Sequence, residues 1–412
     1  MTKYTAEDIR ALIEVMEDDL FDDLLNHVSH AQTTSDIVDG MEESIWAQGD
    51  KLSEKLILLL FTGILLFSCT AAGADEGRIL RFIYCSDVHY GLEREFRGKE
   101  MGSDEVSRAM LATFKLLSET RLPEDSGVGA GIKFGSPDFV VCTGDIANRM
   151  EEGVQSATIS WSQFCSDWDS SISSPLYLVP GNHDISNAIG YSKVLSPEKD
   201  ASSAAGIFNR MMRPAVERTA ETFNYQTDKV HYSFVKDGVR FVFMGYMRQW
   251  FDQEIGTDTI IPVILFTHDP PIADTKHFTN PNGKHTINSV DKFQNLLADT
   301  CLVTDVKKKA TKNWEKLEQF IHSHSMIKAY FHGDKNYNEF YTWNGVNGTI
   351  DLPVFRVDSP MKGEYSSADE RLLSFIVVTM DVNQRLLTAR ECLWNTENKT
   401  SIQWGSSCTI TF

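Results

Sequence analysis

The sequence predicts an α/β protein whose core strands run parallel beneath covering helices. Three observations predict it. From Ile79 onward, short apolar runs alternate with segments whose apolar residues recur at helical spacing. The first three runs are separated by such segments, a βαβαβ order that requires crossover connections. Five of the runs end in a short polar loop holding Asp, Asn or His.

The elements follow in order. "ILRFIYC" (79–85) reads as a buried strand, and Val106, Met110, Leu111, Phe114 and Leu117 mark a helix. "DFVVC" (138–142) is the next strand, residues 156–168 a second helix, and "PLYLV" (175–179) a third strand. A hairpin spans 231–245, turning at Asp237-Gly238. "PVILF" (262–266) and "IKAYF" (327–331) are further buried strands, with a helix near 311–323 between them. After Asn338, "EFYTW", "PVFRVD", "LSFIVVTMD" and "LLTAREC" read as a β meander, and "GLEREFRGKE" (91–100) as a polar loop.

The chain has 412 residues, 42% hydrophobic and 24% charged, an ordinary balance for a globular protein with a sizeable core. Its net charge is −19. Residues 1–50 hold 13 acidic and 2 basic side chains, a net of −11, which leaves −8 for the other 362 residues. No basic stripe is evident, which argues against a nucleic-acid-binding surface. Thr5 and Asp8 form a capping-box pattern, and Ile9, Ile13, Met16, Leu20, Leu24 and Val28 make a helical stripe over residues 5–29. Residues 30–50 read as linker.

"LILLLFTGILLFSCTAAGA" (56–74) is a targeting-like segment. Its apolar core, Leu56–Phe67, spans 12 residues, short for a membrane-crossing helix and suited to a signal-peptide core. Lys51 and Lys55 precede it, and "LFSC" ending at Cys69 resembles a bacterial lipoprotein cleavage box. The expectation is an extracytoplasmic protein, secreted or membrane-anchored, attached through a lipid on Cys69 or through residues 56–74. The domain organisation is an acidic extension and linker (1–50), a hydrophobic signal or anchor segment (51–75), and one large catalytic-type domain (76–412). Seven cysteines are present without a CxxC pair, so zinc-ribbon and thioredoxin readings have no support.

The chemistry lies in the five loops: "SDVH" (86–89), "TGDIAN" (143–148), "PGNHD" (180–184), "THDPP" (267–271) and "HGDKN" (332–336). In open α/β sheets the crevice outside the carboxyl ends of the strands binds ligands. A single Asp-x-His is weak evidence, whereas five such loops in order, each after an apolar strand, are hard to obtain by chance. No GxSxG elbow, P-loop or dinucleotide fingerprint occurs.

These loops resemble the motifs of the calcineurin-like metallophosphoesterase superfamily: D-x-H, G-D-x-x-[ND], G-N-H-[DE], an isolated His, and G-H-x-H. The resemblance runs from about Ile79 to Arg356. It implies a four-layer sandwich of two mixed β-sheets flanked by helices, and two divalent metal ions, with Mn, Fe or Zn expected and Mg an option. It implies that Asp87 and His89 bind the first ion, that Asp145 bridges both, and that Asn182 and His268 bind the second. His183 would stand over the leaving group with Asp184 orienting it, and Asn148 would support the ligands. The implied reaction is hydrolysis of a phosphate mono- or diester by a metal-bound hydroxide attacking in line.

The fifth loop departs from the pattern. Aligned on Gly333, the two usual histidines become Asp334 and Asn336. Asp334 is expected as a ligand of the second metal, and Asn336 as a weaker ligand at the first. His332 should point to the opposite face of its strand. The alternative is a phosphoesterase-fold binding or surface protein whose metal site has degraded. Arg94 and Lys276 are candidates for contacting substrate phosphate, although no spacing singles out either.

Overall fold

The computed structural model describes residues 78–148, 155–185, 200–224, 227–244, 254, 260–272, 306–398 and 401–412. The chain divides into Met1–Glu76 and Gly77–Phe412, and every described residue belongs to the second unit. The stripe at 5–29, the segment 56–74 with Cys69, and Lys276 lie outside the described residues.

Two six-stranded sheets form the core. The first has the order β14-β13-β12-β1-β4-β5. Its strands are β1 (Ile79–Cys85), β4 (Phe139–Cys142), β5 (Leu176–Leu178), β12 (Ser374–Asp381), β13 (Leu386–Leu393) and β14 (Gln403–Thr411). The second sheet has the order β10-β11-β9-β8-β7-β6. It is made of β6 (His231–Lys236), β7 (Val239–Met244), β8 (Val263–Phe266), β9 (Ile327–His332), β10 (Glu339–Trp343) and β11 (Leu352–Arg356). A small hairpin, β2 (Glu93–Phe96) with β3 (Lys99–Gly102), stands apart.

Strand alternation sorts side chains into layers. Phe82 of β1 meets Phe241, Phe266 and Phe331 of the second sheet edge-on, at ring separations of 6.1, 5.8 and 5.8 Å. Those rings fill the space between the sheets. The opposite face of the second sheet, with Val242, Leu265, Tyr330 and Val354, packs against Leu317, Phe320 and Ile321. These three belong to the helix Val306–Ser323. On the outer face of the first sheet lie α1 (Ser103–Leu117) and α2 (Ala157–Ser171). Phe114 of α1 meets Phe375 of β12 edge-on at 4.7 Å. Helix, sheet, sheet and helix make the four layers expected from the sequence.

The strands read as buried appear within a residue or two of their expected ends. Helix α2 starts where Ser156 caps it, its hydroxyl accepting from the Ile159 amide at 3.3 Å. The meander needs correction, because its strands divide between the sheets. β12 pairs antiparallel with β1, and β13 and β14 extend the first sheet beyond it, each antiparallel to its neighbour. β10 and β11 join the second, and β11 runs parallel to β9. The loop read over 91–100 holds most of the β2–β3 hairpin, and a further helix, α3 (Ser202–Met212), was not expected.

β1, β4 and β5 are mutually parallel in one sheet. β7, β8, β9 and β11 are parallel in the other. The carboxyl ends of β1, β4, β5, β8 and β9 therefore deliver the five polar loops to one edge of the sandwich, where the two sheets meet.

Candidate metal centre

Backbone hydrogen bonds join the loops before any side chain does. The amides of Asp87, His89 and Tyr90 donate to the carbonyls of Gly144, Asp145 and Ile146 at 2.7–2.9 Å, which joins the first two loops. Gly333 N–H donates to the His268 carbonyl at 3.0 Å, joining the fourth to the fifth. His268 Nδ1 lies 2.7 Å from the Thr143 carbonyl and connects the two sheets. The Asp334 amide donates to Asp87 Oδ2 at 3.1 Å.

This packing leaves little room. A Cβ at Gly181 would collide with Asp145 and His268, and one at Gly333 would collide with Ser86 and Asp87. Asp87, His89, Asp145, Asp334 and Asn336 all adopt left-handed backbone, with φ of 57°, 42°, 50°, 66° and 58°. Such conformations cost about 1–3 kcal/mol each in a non-glycine residue and gather at functional sites. Five of the seven expected metal ligands thus fall on strained positions that the surrounding structure holds in place.

The side chains converge on Asp145. Its Oδ2 lies 3.8 Å from His89 Nε2 and 3.9 Å from His183 Nε2. Its Oδ1 faces the other way, 3.4 Å from His268 Nε2. Around that nitrogen stand Asn182 Oδ1 at 3.0 Å and Asp334 Oδ1 at 3.8 Å. His89 Nε2 is also 3.8 Å from Asp87 Oδ1. Two clusters result, His89–Asp145–His183 and Asp87–Asp145–His268, each with its donor atoms within 4.8 Å of one another. Asp87 thus borders both histidines rather than His89 alone.

Nearly all of this is buried: Asp87, His89, Asp145, Asn182 and His268 are at most 4% exposed. Burial pushes the Asp87 carboxyl up to about 7, helped by Asp145 and opposed by His268. Burial also acts to raise Asp145, but the imidazoles of His268, His183 and His89 overcome it and hold this carboxyl well below its usual range. Burial disfavours charge on His268, yet Asp145, Asp87 and Asp334 outweigh it and hold its pKa well above normal. His89 is held well below normal by burial and then by His183.

These residues fit a cation site. Asp87 Oδ1, both nitrogens of His89 and Asn336 Oδ1 are buried without a hydrogen-bond partner among the described residues. Buried polar atoms are rarely left so, and an ion is one of the few remedies. His89, neutral in this setting, can offer a lone pair from one of its two ring nitrogens. His268 commits Nδ1 to a carbonyl, which aims Nε2 at the amide oxygen of Asn182 and at carboxylate oxygens of Asp145 and Asp334. Three carboxylates packed this closely repel unless cations lie between them. Asp, His and Asn donors suit Mn, Fe or Zn, with Mg as an oxygen-preferring option.

Two expectations change. Asp184 does not orient the His183 ring. Its carboxylate accepts from the amides of Ile146, Ala147 and Gly181 at 2.9–3.1 Å and from Ser203 Oγ at 2.5 Å. A side chain that short, committed to four donors, braces the second loop against the third. Burial and Asp145 push it up to about 6 despite those bonds. Arg94 does not face substrate either. Its guanidinium donates to the carbonyls of Pro360 and Ser366, both at 2.7 Å. His332 is fully buried, with Nδ1 2.8 Å from the Gly333 carbonyl and Nε2 3.4 Å from the Tyr341 hydroxyl, on the face away from the centre. Ser203 escaped sequence reading because its helix was not foreseen.

Comparison with known proteins agrees with the motifs. A family profile described as calcineurin-like phosphoesterase matches residues 80–350, a span holding all five loops. Among solved structures, the chain resembles a conserved uncharacterized protein from Streptococcus pneumoniae, titled a predicted phosphoesterase. The identity is 9% and the TM-score 0.31, covering 81% of this chain and 99% of that one. It also resembles Vps29 of Chaetomium thermophilum at 9% identity and a TM-score of 0.32, covering 81% and 97%. No curated protein sequence matches significantly.

Proposed function

We propose that this chain, which belongs to the calcineurin-like phosphoesterase family, hydrolyses a phosphate mono- or diester at a two-metal site. One observation carries the reading: the two oxygens of Asp145 face two different histidines, His89 at Oδ2 and His268 at Oδ1. A carboxylate whose two oxygens face different partners can give one oxygen to each of two cations. On this reading Asp87, His89 and Asp145 hold the first ion, with Asn336 beside them. Asp145, Asn182, His268 and Asp334 hold the second.

Two divalent ions, when bound, supply Lewis acidity toward phosphoryl oxygens and lower the pKa of a water. The chain's own residues do the rest. The interlaced backbones of the five loops fix the ligands before substrate arrives, so little reorganisation is required. His183 lies at the rim, with its side chain 14% exposed. Its position at the rim suits it to give a proton to the departing ester oxygen. Asp184 keeps the loop beneath His183 in place through its four hydrogen bonds.

The fifth loop favours a second reading, that of a protein which keeps the fold to bind a partner. Asn336 is a neutral and weak ligand where the family pattern has histidine. One experiment separates the two. Full-length protein is assayed with 4-nitrophenyl phosphate and bis(4-nitrophenyl) phosphate before and after exhaustive chelation, then with added Mn²⁺. Hydrolysis that falls by about 10²-fold or more and returns with the ion is expected. Undiminished hydrolysis in excess chelator contradicts the metal-dependent reading, and no hydrolysis with any ion favours the binding protein.

A further inference from the structure

A sixth loop reaches the same edge. β11 is parallel to β9, so its carboxyl end opens beside the fifth loop rather than at the far side, as an antiparallel meander would have it. The segment that follows, residues 357–366, lies beyond the stretch matched by the family profile. Ser359 Oγ donates to the Asp87 carbonyl at 2.7 Å, which attaches the segment to the first loop. The Glu364 amide donates to the Asn336 carbonyl at 2.7 Å, which attaches it to the fifth. Arg94 clamps it from outside through Pro360 and Ser366. Between these anchors the amide of Lys362 donates to Ser359 Oγ at 2.9 Å, and its ammonium donates to Asn148 Oδ1 at 3.0 Å. Asn148 belongs to the second loop, three residues after Asp145, and its amide donates to the Tyr90 carbonyl, one residue after His89.

We infer that Lys362 is a substrate-binding residue whose ammonium contacts a phosphoryl oxygen of the ester held at the centre. The inference rests on the phosphoesterase reading and adds a residue to it. A half-buried lysine fixed at both backbone and tip, with anchors on three of the ligand loops, is a positive charge placed by the fold. Lysine recognises phosphate as a point charge with three N–H donors, so a bond to Asn148 is compatible with a bond to a phosphoryl oxygen. The Asn148 amide would hold the ammonium in register with His89 and Asp145. Arg94, on the β2–β3 hairpin and far away in sequence, serves this arrangement by fixing the segment's backbone through Pro360 and Ser366.

The test uses full-length protein loaded with Mn²⁺, with inorganic phosphate as the probe. Binding is measured by calorimetry for wild type, Lys362→Met and Lys362→Arg, beside metal content and thermal midpoint. Methionine keeps the apolar stem and removes the charge. Phosphate binding about tenfold weaker or worse in Lys362→Met is expected, with metal content and thermal midpoint as in wild type, and with most of the affinity regained in Lys362→Arg. Equal phosphate affinity in wild type and Lys362→Met overturns the inference, as does a wild type that binds no phosphate. A loss that merely follows lost metal also overturns it, because Lys362 would then act through the centre. If phosphate binding depends on Lys362 but wild type cleaves neither nitrophenyl ester, the binding role stands and the esterase reading falls.

Discussion

Asp145→Asn is expected to lower kcat/KM for 4-nitrophenyl phosphate by about 10³-fold or more, a loss of about 4 kcal/mol in transition-state stabilisation. The substitution keeps the side chain's shape but replaces one anionic oxygen with an amide nitrogen and removes the charge. Asp145 is the side chain on which both clusters converge, so one change weakens both. It also anchors the third loop, since the His183 amide donates to Asp145 Oδ1 at 2.7 Å. The loss should exceed that from any change at Asp87, His89, Asn182 or His268, which each border fewer partners. Kinetics paired with metal analysis checks this. A variant that keeps its metal content and stays within tenfold of wild type would show that Asp145 does not bridge.

His183→Ala is expected to lower kcat by about 10²–10⁴-fold while metal content stays near wild type. The expectation follows from position: His183 is the most exposed of the clustered histidines and the one that substrate can approach. Its Nε2 is also only 3.9 Å from Asp145 Oδ2, and its ring meets that of His89 edge-on at 4.8 Å. The measurement is therefore decisive between two roles. Loss of an ion from the variant would make His183 a ligand of the first site instead of a proton donor.

Much of the fold was legible because buried parallel strands are nearly continuous apolar runs, and the loops after them are short and polar. "FVVC" and "VILF" announce themselves in this way. The ligand loops were legible for a related reason: five loops holding Asp, His or Asn each follow an apolar strand, at the carboxyl ends where open α/β sheets bind ligands. Other features lacked such signals. The β2–β3 hairpin buries only Phe96, so its strands look like charged loop. Helix α3 places Ile207, Phe208, Met211 and Met212 at helical spacing, but it is only 11 residues long and has Gly206 in its interior, which lowers its propensity. β14 alternates exposed and half-exposed residues at a sheet edge, where one-sided burial is slight. The largest omission was topological. Local pattern says that β10 to β13 are strands, but not that β11 pairs parallel with a strand twenty residues earlier in the chain. That pairing decides which edge Lys362 reaches. Asp184 and Arg94 were assigned by type and motif, and long-range hydrogen bonds gave them other tasks.

On the proposed reading two ions share Asp145, with Asp334 standing where the family pattern has histidine. The most direct measurement is the number of divalent ions bound per full-length chain, by calorimetric Mn²⁺ titration with elemental analysis, for wild type and Asp334→Ala. Two ions in wild type and one in Asp334→Ala are predicted, since Asp334 is placed beside His268 and Asn182 at the second position only. One ion or none in wild type would contradict the account.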